Sequence, residues 1–208
     1  MHPYLTRLGV RPDVQAFFQP HFNADHTGNL VFNYQDGAEH FGFAFHRLPV
    51  TEHFWIAGNT NFSLVRRVFI SNTAMDAIAY LNLNYPAYNQ TENLLFLATG
   101  IKPNTGQMRW INQHLGGKTF SLIFSNDILG RVCDLKTAAG IRRIPVAVEI
   151  ADEQVNINFR QQQFTFSQEK FSINAFEKVS GYRFNTKTLK PKNFNCYLDQ
   201  LKEKAFNQ

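Results

Sequence analysis

The sequence predicts an α/β protein: a mostly parallel sheet with flanking helices, preceded by a small α+β N-terminal lobe. Three observations carry this expectation. Between residues 66 and 148, short and uniformly apolar runs alternate with stretches of helical period, as in parallel strands buried on both faces. Before residue 62, apolar residues alternate around an Asp-Gly turn, as in a half-buried hairpin. The chain has 208 residues, 44% hydrophobic and 18% charged. At that length a single core buries about 70% of the unfolded surface. Disorder, collagen and coiled coil are therefore excluded.

In chain order, residues 3–19 read as a short helical region, with Pro12 opening a turn that ends before Pro20. Strands are expected over 29–34 and 41–45 around Asp36-Gly37, with 53–58 as a third strand beside them. Residues 66–71 form an apolar strand followed by a helix from Ala74 to Leu81. Residues 94–98 give a second buried strand, Gln107 to Leu115 a helix, and Phe120 to Phe124 a third strand followed by a helix through about Ala138. Ile144 to Val148 is expected to open a fourth. Alternation over 153–166 predicts a second hairpin, with helices over 172–180 and 194–204 after it. The division is thus 1–62 for the N-terminal lobe and 63–208 for the larger domain, with the hairpin as an insertion near 153–166.

The net charge is +5, and it is unevenly placed: −2 over residues 1–62, +4 over 63–150 and +3 over 151–208. Such a balance suits a polyanionic partner, because phosphate neutralisation dominates nucleic-acid affinity. No apolar run reaches the roughly 20 residues of a membrane span, and no basic-then-apolar leader opens the chain. Two cysteines, Cys133 and Cys196, make no disulfide framework. A cytoplasmic protein with no membrane partner is expected.

Six of the seven histidines fall between His2 and His53, without the spacing of a zinc module. Gly116-Gly117-Lys118-Thr119 resembles the end of a phosphate-binding loop, but position 112 is Asn and the segment leads into a strand. No motif of a Ser or Cys nucleophile is present. Most of the 21 phenylalanines lie on strand and helix faces and are read as core.

One ordered set of segments remains. The first strand runs into Ser71-Asn72-Thr73-Ala74-Met75-Asp76. The middle strand ends in Ala98-Thr99-Gly100, and the third in Ser125-Asn126-Asp127-Ile128-Leu129-Gly130-Arg131. This order resembles the Toprim domain of primases, topoisomerases and related nucleases. There the first strand ends in Glu, with an Asp four residues later, the middle strand meets a Gly-containing loop, and the third ends in Asp-x-Asp before a Gly. Tyr4-Leu5 and Gly9 resemble the region preceding Toprim in primase-like proteins of plasmids and mobile elements. Lys192-Asn193-Phe194-Asn195-Cys196-Tyr197-Leu198 resembles their Lys-Asp-Trp-Asn-x-x-Leu signature.

The resemblance implies a Toprim-like fold and carboxylates that hold Mg²⁺ at the carboxyl ends of adjacent strands. At those positions this chain has Asn72 for the Glu, Ser125 for the first Asp of Asp-x-Asp and Asn193 for the Asp of the C-terminal signature. Asp76 and Asp127 are retained. Asp76 is placed to favour a helix N-terminus, and Asp127 to keep a vestigial ion or orient Arg131. The expectation is therefore a catalytically degenerate protein, without a cofactor, that binds DNA or RNA or a replication or mobilisation protein. Lys102 and Arg109 flank the loop after the middle strand and are the first choices for phosphate contact, with Arg131, Arg66 and Arg67 as further candidates. Two alternatives stand beside it. One is an active Mg²⁺-dependent primase- or nuclease-like enzyme using Asp127, Asp76 and a substitute such as Asp134. The other is a protein-interaction module using the edge of the 155–166 hairpin.

Overall fold

The computed structural model describes residues 1–88 and 90–207. The N-terminal region holds α1 (Pro3–Arg7) and α2 (Pro12–Phe18), then β1 (Asn23–Ala24), β2 (Leu30–Asn33), β3 (Ala38–Phe41) and β4 (His46–Arg47). The expected helical region is two helices, parted at Gly9, whose φ of 71° turns the chain. β1 to β4 form an antiparallel sheet in sequence order. Its central hairpin pairs Leu30 with Phe41 and Asn33 with Ala38, so the second strand lies before the expected 41–45.

Next come β5 (Trp55–Gly58), β6 (Arg67–Ser71), α3 (Ala74–Asn84), β7 (Leu94–Ala98), α4 (Thr105–His114), β8 (Thr119–Leu122) and α5 (Ile128–Ile141). The C-terminal part contains β9 (Val146–Ala151), β10 (Gln154–Phe159), β11 (Gln162–Ser167), α6 (Ile173–Ser180), β12 (Lys187–Thr188) and α7 (Tyr197–Phe206). The central sheet has the order β12-β8-β6-β7-β5. β12, β8, β6 and β7 are mutually parallel, and β5 closes the edge antiparallel to β7. The result is a mixed sheet in an α/β chain.

Two expected strands pair elsewhere. Trp55–Gly58 was expected beside the N-terminal hairpin, yet it pairs with β7. There Trp55 stacks on Phe18 (5.9 Å between centroids) and donates from Nε1 to the His21 carbonyl at 2.7 Å. Ile144–Val148 was expected as a fourth parallel strand. Instead β9 begins a three-stranded antiparallel meander with β10 and β11, and the fourth parallel strand is the two-residue β12. The expected hairpin is present, with Val155 opposite Phe166 and Phe159 opposite Gln162.

Both faces of the central sheet are covered, as its apolar strands require. Phe69, Phe96 and Ala98 pack with α1, α2, α3, α7 and the N-terminal sheet. Val68, Ile70, Leu95, Leu97 and Leu122 pack with α4, α5, α6 and the meander. Period-2 alternation along β6 and β7 thus divides one sheet between two cores.

The meander turns at Asp152-Glu153 and Arg160-Gln161, four residues with φ between 48° and 65°. Non-glycine residues tolerate this left-handed region poorly, and two-residue hairpins favour glycine there. Glu153→Gly and Gln161→Gly are each expected to stabilise the chain by roughly 0.5–1 kcal/mol, read as a higher midpoint of urea unfolding.

Candidate functional site

Parallel pairing puts the carboxyl ends of β6, β7 and β8 at one edge of the sheet, where open α/β sheets place their sites. Asn72, Gly100 and Ser125 gather there. The Gly100 N–H donates to the Asn72 carbonyl at 2.9 Å, and the Ile123 N–H to the Ile70 carbonyl at 2.8 Å. The Asn72 side-chain amide donates to the carbonyls of Gly100 (3.3 Å) and Ile101 (3.2 Å). A carboxylate at this position has no proton for either oxygen. Gly100 itself has φ +78°, and a Cβ there would stand 2.7 Å from the Pro49 carbonyl oxygen. The loop after β7 is therefore fitted to glycine and to an amide.

At the end of β8, the Ser125 hydroxyl donates to Asp127 Oδ1 at 3.0 Å, and the Gly130 N–H donates to the same oxygen at 2.7 Å. Asp127 is the N-cap of α5. Gly130 lets the helix sit on the turn, since a Cβ there would lie 2.1 Å from the Ser125 carbonyl oxygen. Arg131 is oriented by backbone carbonyls, not by Asp127. Its guanidinium donates to Asn126 (3.0 Å), Glu169 (3.0 Å) and Phe171 (3.1 Å), clamping the segment after the meander to the start of α5. The Asn193 loop reaches the same edge, where the Asn126 N–H meets the Asn195 carbonyl. Asn193 is exposed with φ 63°, a conformation asparagine tolerates well.

Lys190 reaches this edge from the outer strand β12, beside the end of β8. The chain beyond β12 follows β8, with the Leu189 N–H bonded to the Leu122 carbonyl at 2.8 Å. The Lys190 ammonium donates to the carbonyls of Phe124 and Ser125, both at 2.9 Å. It also pairs with Asp134 Oδ2 at 2.7 Å. Asp134 is 2% exposed. Burial pushes its carboxyl up to about 7, with the Lys190 charge pulling the other way. Burial also pushes the neighbouring Cys133 thiol up to about 11. These residues do not fit a magnesium ion, which needs converging anionic oxygens. Asn72 presents an amide that is already donating, Asp127 caps a helix, and Asp134 faces an ammonium. Among the described residues no three His, Cys, Asp or Glu side chains meet as a metal site would require.

Asp76 lies at the same end but turns away from it. Its Oδ2 accepts from the Thr73 hydroxyl at 2.9 Å, and its Oδ1 from the Leu198 N–H at 3.0 Å, which caps α7 from outside. Burial raises the Asp76 carboxyl, and these donors oppose the rise. Glu39 of β3, to which no role was given in the sequence, does the same for α3. Its carboxylate is fully buried and accepts from the N–H groups of Ala74 (2.7 Å) and Met75 (3.3 Å) and the Tyr34 hydroxyl (2.9 Å). His46 Nε2 lies 2.8 Å from it.

The expected phosphate ligands divide. Arg66 and Arg67 are exposed at the opposite end of β6 from Asn72, and Arg67 lies 5.9 Å over the Tyr88 ring. Lys102 lines a cavity that also holds Asp36 and Glu52. Arg109 lines a larger cavity of about 860 Å³ between α4 and the α5–β9 junction, with Lys136 and Arg143. Among the described residues no acidic one lines it. Lys136 carries no sequence signal beyond its charge, and helical spacing alone does not place it across from Arg109. Compared with known proteins, the chain matches no family model, no curated protein and no solved structure.

Glu39→Ala strands two buried N–H groups and a hydroxyl, and is expected to cost about 2–4 kcal/mol in urea unfolding. Asp134 gives a pH signature. Its folded-state value lies above the ordinary one, near 4, so the folded chain holds this proton more tightly. The stability it contributes is complete below about pH 4 and falls as pH rises to about 7. Asp134→Asn removes that proton. Across this range the melting temperature of the wild type is expected to fall relative to that of the variant.

Proposed function

We propose that this chain is a non-catalytic, Toprim-like protein that binds nucleic acid as an accessory of DNA replication or mobile-element transfer. The observation that carries the reading is the Lys190 ammonium. At the edge where the resemblance implies acids around Mg²⁺, the chain supplies its own cation, bonded to two carbonyls and Asp134. An ammonium there satisfies the oxygens and repels a divalent ion. The replacement of Glu by Asn72 supports the same reading, because its amide donates to two backbone carbonyls. The nucleic-acid part of the reading rests on the +5 charge and on the cationic cavity of Arg109, Lys136 and Arg143.

The test pairs Mg²⁺ with DNA. Millimolar Mg²⁺ is expected to leave the melting temperature within about 1 °C, because a ligand stabilises by RT ln(1 + [L]/Kd) only above its Kd. No Mg²⁺-dependent cleavage or primer synthesis is expected. DNA is expected to bind with an affinity that falls steeply with salt. A gain of several degrees from Mg²⁺ that Asp127→Asn removes would overturn the non-catalytic reading. Absence of DNA and RNA binding at low salt would overturn the other half.

A further inference from the structure

We infer that the exposed face of α4, with the α5–β9 junction beside it, is a track for single-stranded nucleic acid. The inference rests on the nucleic-acid reading above and adds the site and the strandedness. Arg109 and Gln113, one turn apart on α4, line two cavities at once. On one side lies the cationic cavity, where, among the described residues, Arg109, Lys136 and Arg143 are the charged lining residues and all three are exposed. The Arg143 guanidinium is held in place by the Asn112 carbonyl at 3.2 Å. On the other side is a cavity of about 410 Å³ lined by Trp110, Phe54 and His53, with Glu52 and Gln35 among its other lining residues.

Trp110 is half-buried and well supported. Its ring packs edge-on against Phe54 at 5.6 Å and Phe62 at 5.4 Å, and lies 4.9 Å from His114. The surface therefore sets cations on one flank of a helix and an aromatic recess on the other. A single strand carries that same pair of features, a charged backbone and unpaired flat bases, and proteins bind it with basic grooves beside stacking aromatics. A duplex offers phosphates only, with its bases stacked inside, and does not fill the Trp110 recess. An acidic peptide matches the cations but brings no series of flat faces.

The chain contains two tryptophans. Trp55 is 1% exposed, which leaves Trp110 as the reporter. Titration of the full-length protein with a dT oligonucleotide is expected to quench tryptophan emission and to bind more tightly than a duplex of equal phosphate count. Arg109→Ala and Lys136→Ala are each expected to weaken dT binding about tenfold near 0.1 M salt. Each should also lower the slope of log K against log salt by about one unit. Trp110→Phe keeps an aromatic ring in the packing and is expected to abolish the quenching.

If dT binds equally well to both alanine variants, the track lies elsewhere while the nucleic-acid reading stands. Tighter duplex binding overturns the single-strand assignment, and quenching that persists in Trp110→Phe overturns the stacking role. Competition by polyglutamate as effective as that by dT, lost in the same variants, would assign the surface to an acidic protein. If neither DNA nor RNA binds at low salt, the nucleic-acid reading itself fails, and the track with it.

Discussion

A fully buried carboxylate at the start of α3 fixes how the parts of this chain sit together. A helix N-terminus leaves its first N–H groups without partners, and burying them unpaired is costly. Here those groups are met by Glu39, from a sheet some 35 residues earlier in the chain. The Tyr34 hydroxyl also meets Glu39, and burial beside that carboxylate holds it far above its usual value, so it remains a donor. Asp76 repeats the device one turn into α3, capping α7 across 122 residues of sequence. Two carboxylates thus join the N-terminal sheet, α3 and α7. None of these can move away without stranding polar groups in a low-dielectric interior.

The same requirement accounts for the carboxyl edge of the central sheet. Strand ends present carbonyl oxygens, and a cluster of them attracts a cation or a set of donors. Lys190, the Asn72 amide and the Arg131 guanidinium supply these from within the chain. Each is a donor facing backbone oxygen, the opposite polarity to a carboxylate cluster that gathers a metal. Asp134 keeps Lys190 near neutral company, and its own buried position makes ionisation harder. The edge thus carries its own donors, while Asp134 Oδ1 stays buried without a partner; an acid in place of Asn72 would face the Gly100 and Ile101 carbonyl oxygens with no proton to donate.

The strands β6 and β7 were legible because Val68–Ile70 and Leu94–Ala98 are continuously apolar, as in strands buried on both faces, and that pattern needs no partner to be seen. Pairing was not legible for Trp55–Gly58 or Val146–Ala151. A short apolar run does not say which edge it joins, and here aromatic packing by Phe18 and the tight turn at Asp152-Glu153 decided it. α4 begins at Thr105, ahead of the expected Gln107. Asn104 and Gln107 form a reciprocal capping box three residues apart, a sequence signal for a helix beginning before Gln107. Glu39 and Lys190 were not legible at all, because their partners lie 35 and about 65 residues away and nothing local distinguishes them from surface charges.

Net charge also counts cations that the fold itself uses. Arg131 is spent on backbone carbonyls, Arg142 donates to the Phe184 carbonyl at 2.6 Å, Lys190 faces Asp134, and Arg183 pairs with Glu177. Arg131, Arg142 and Lys190 hold the chain after the meander, after α6 and after β12 against α5, so they belong to the fold. Arg109, Lys136 and Arg143 group around one cavity beside α4, and Arg109 also borders the recess that holds Glu52. Three phosphate contacts make a weak electrostatic grip compared with the larger sets that give tight salt-dependent binding. On the reading proposed above, a grip of that strength would need a second component to hold the chain at nucleic acid.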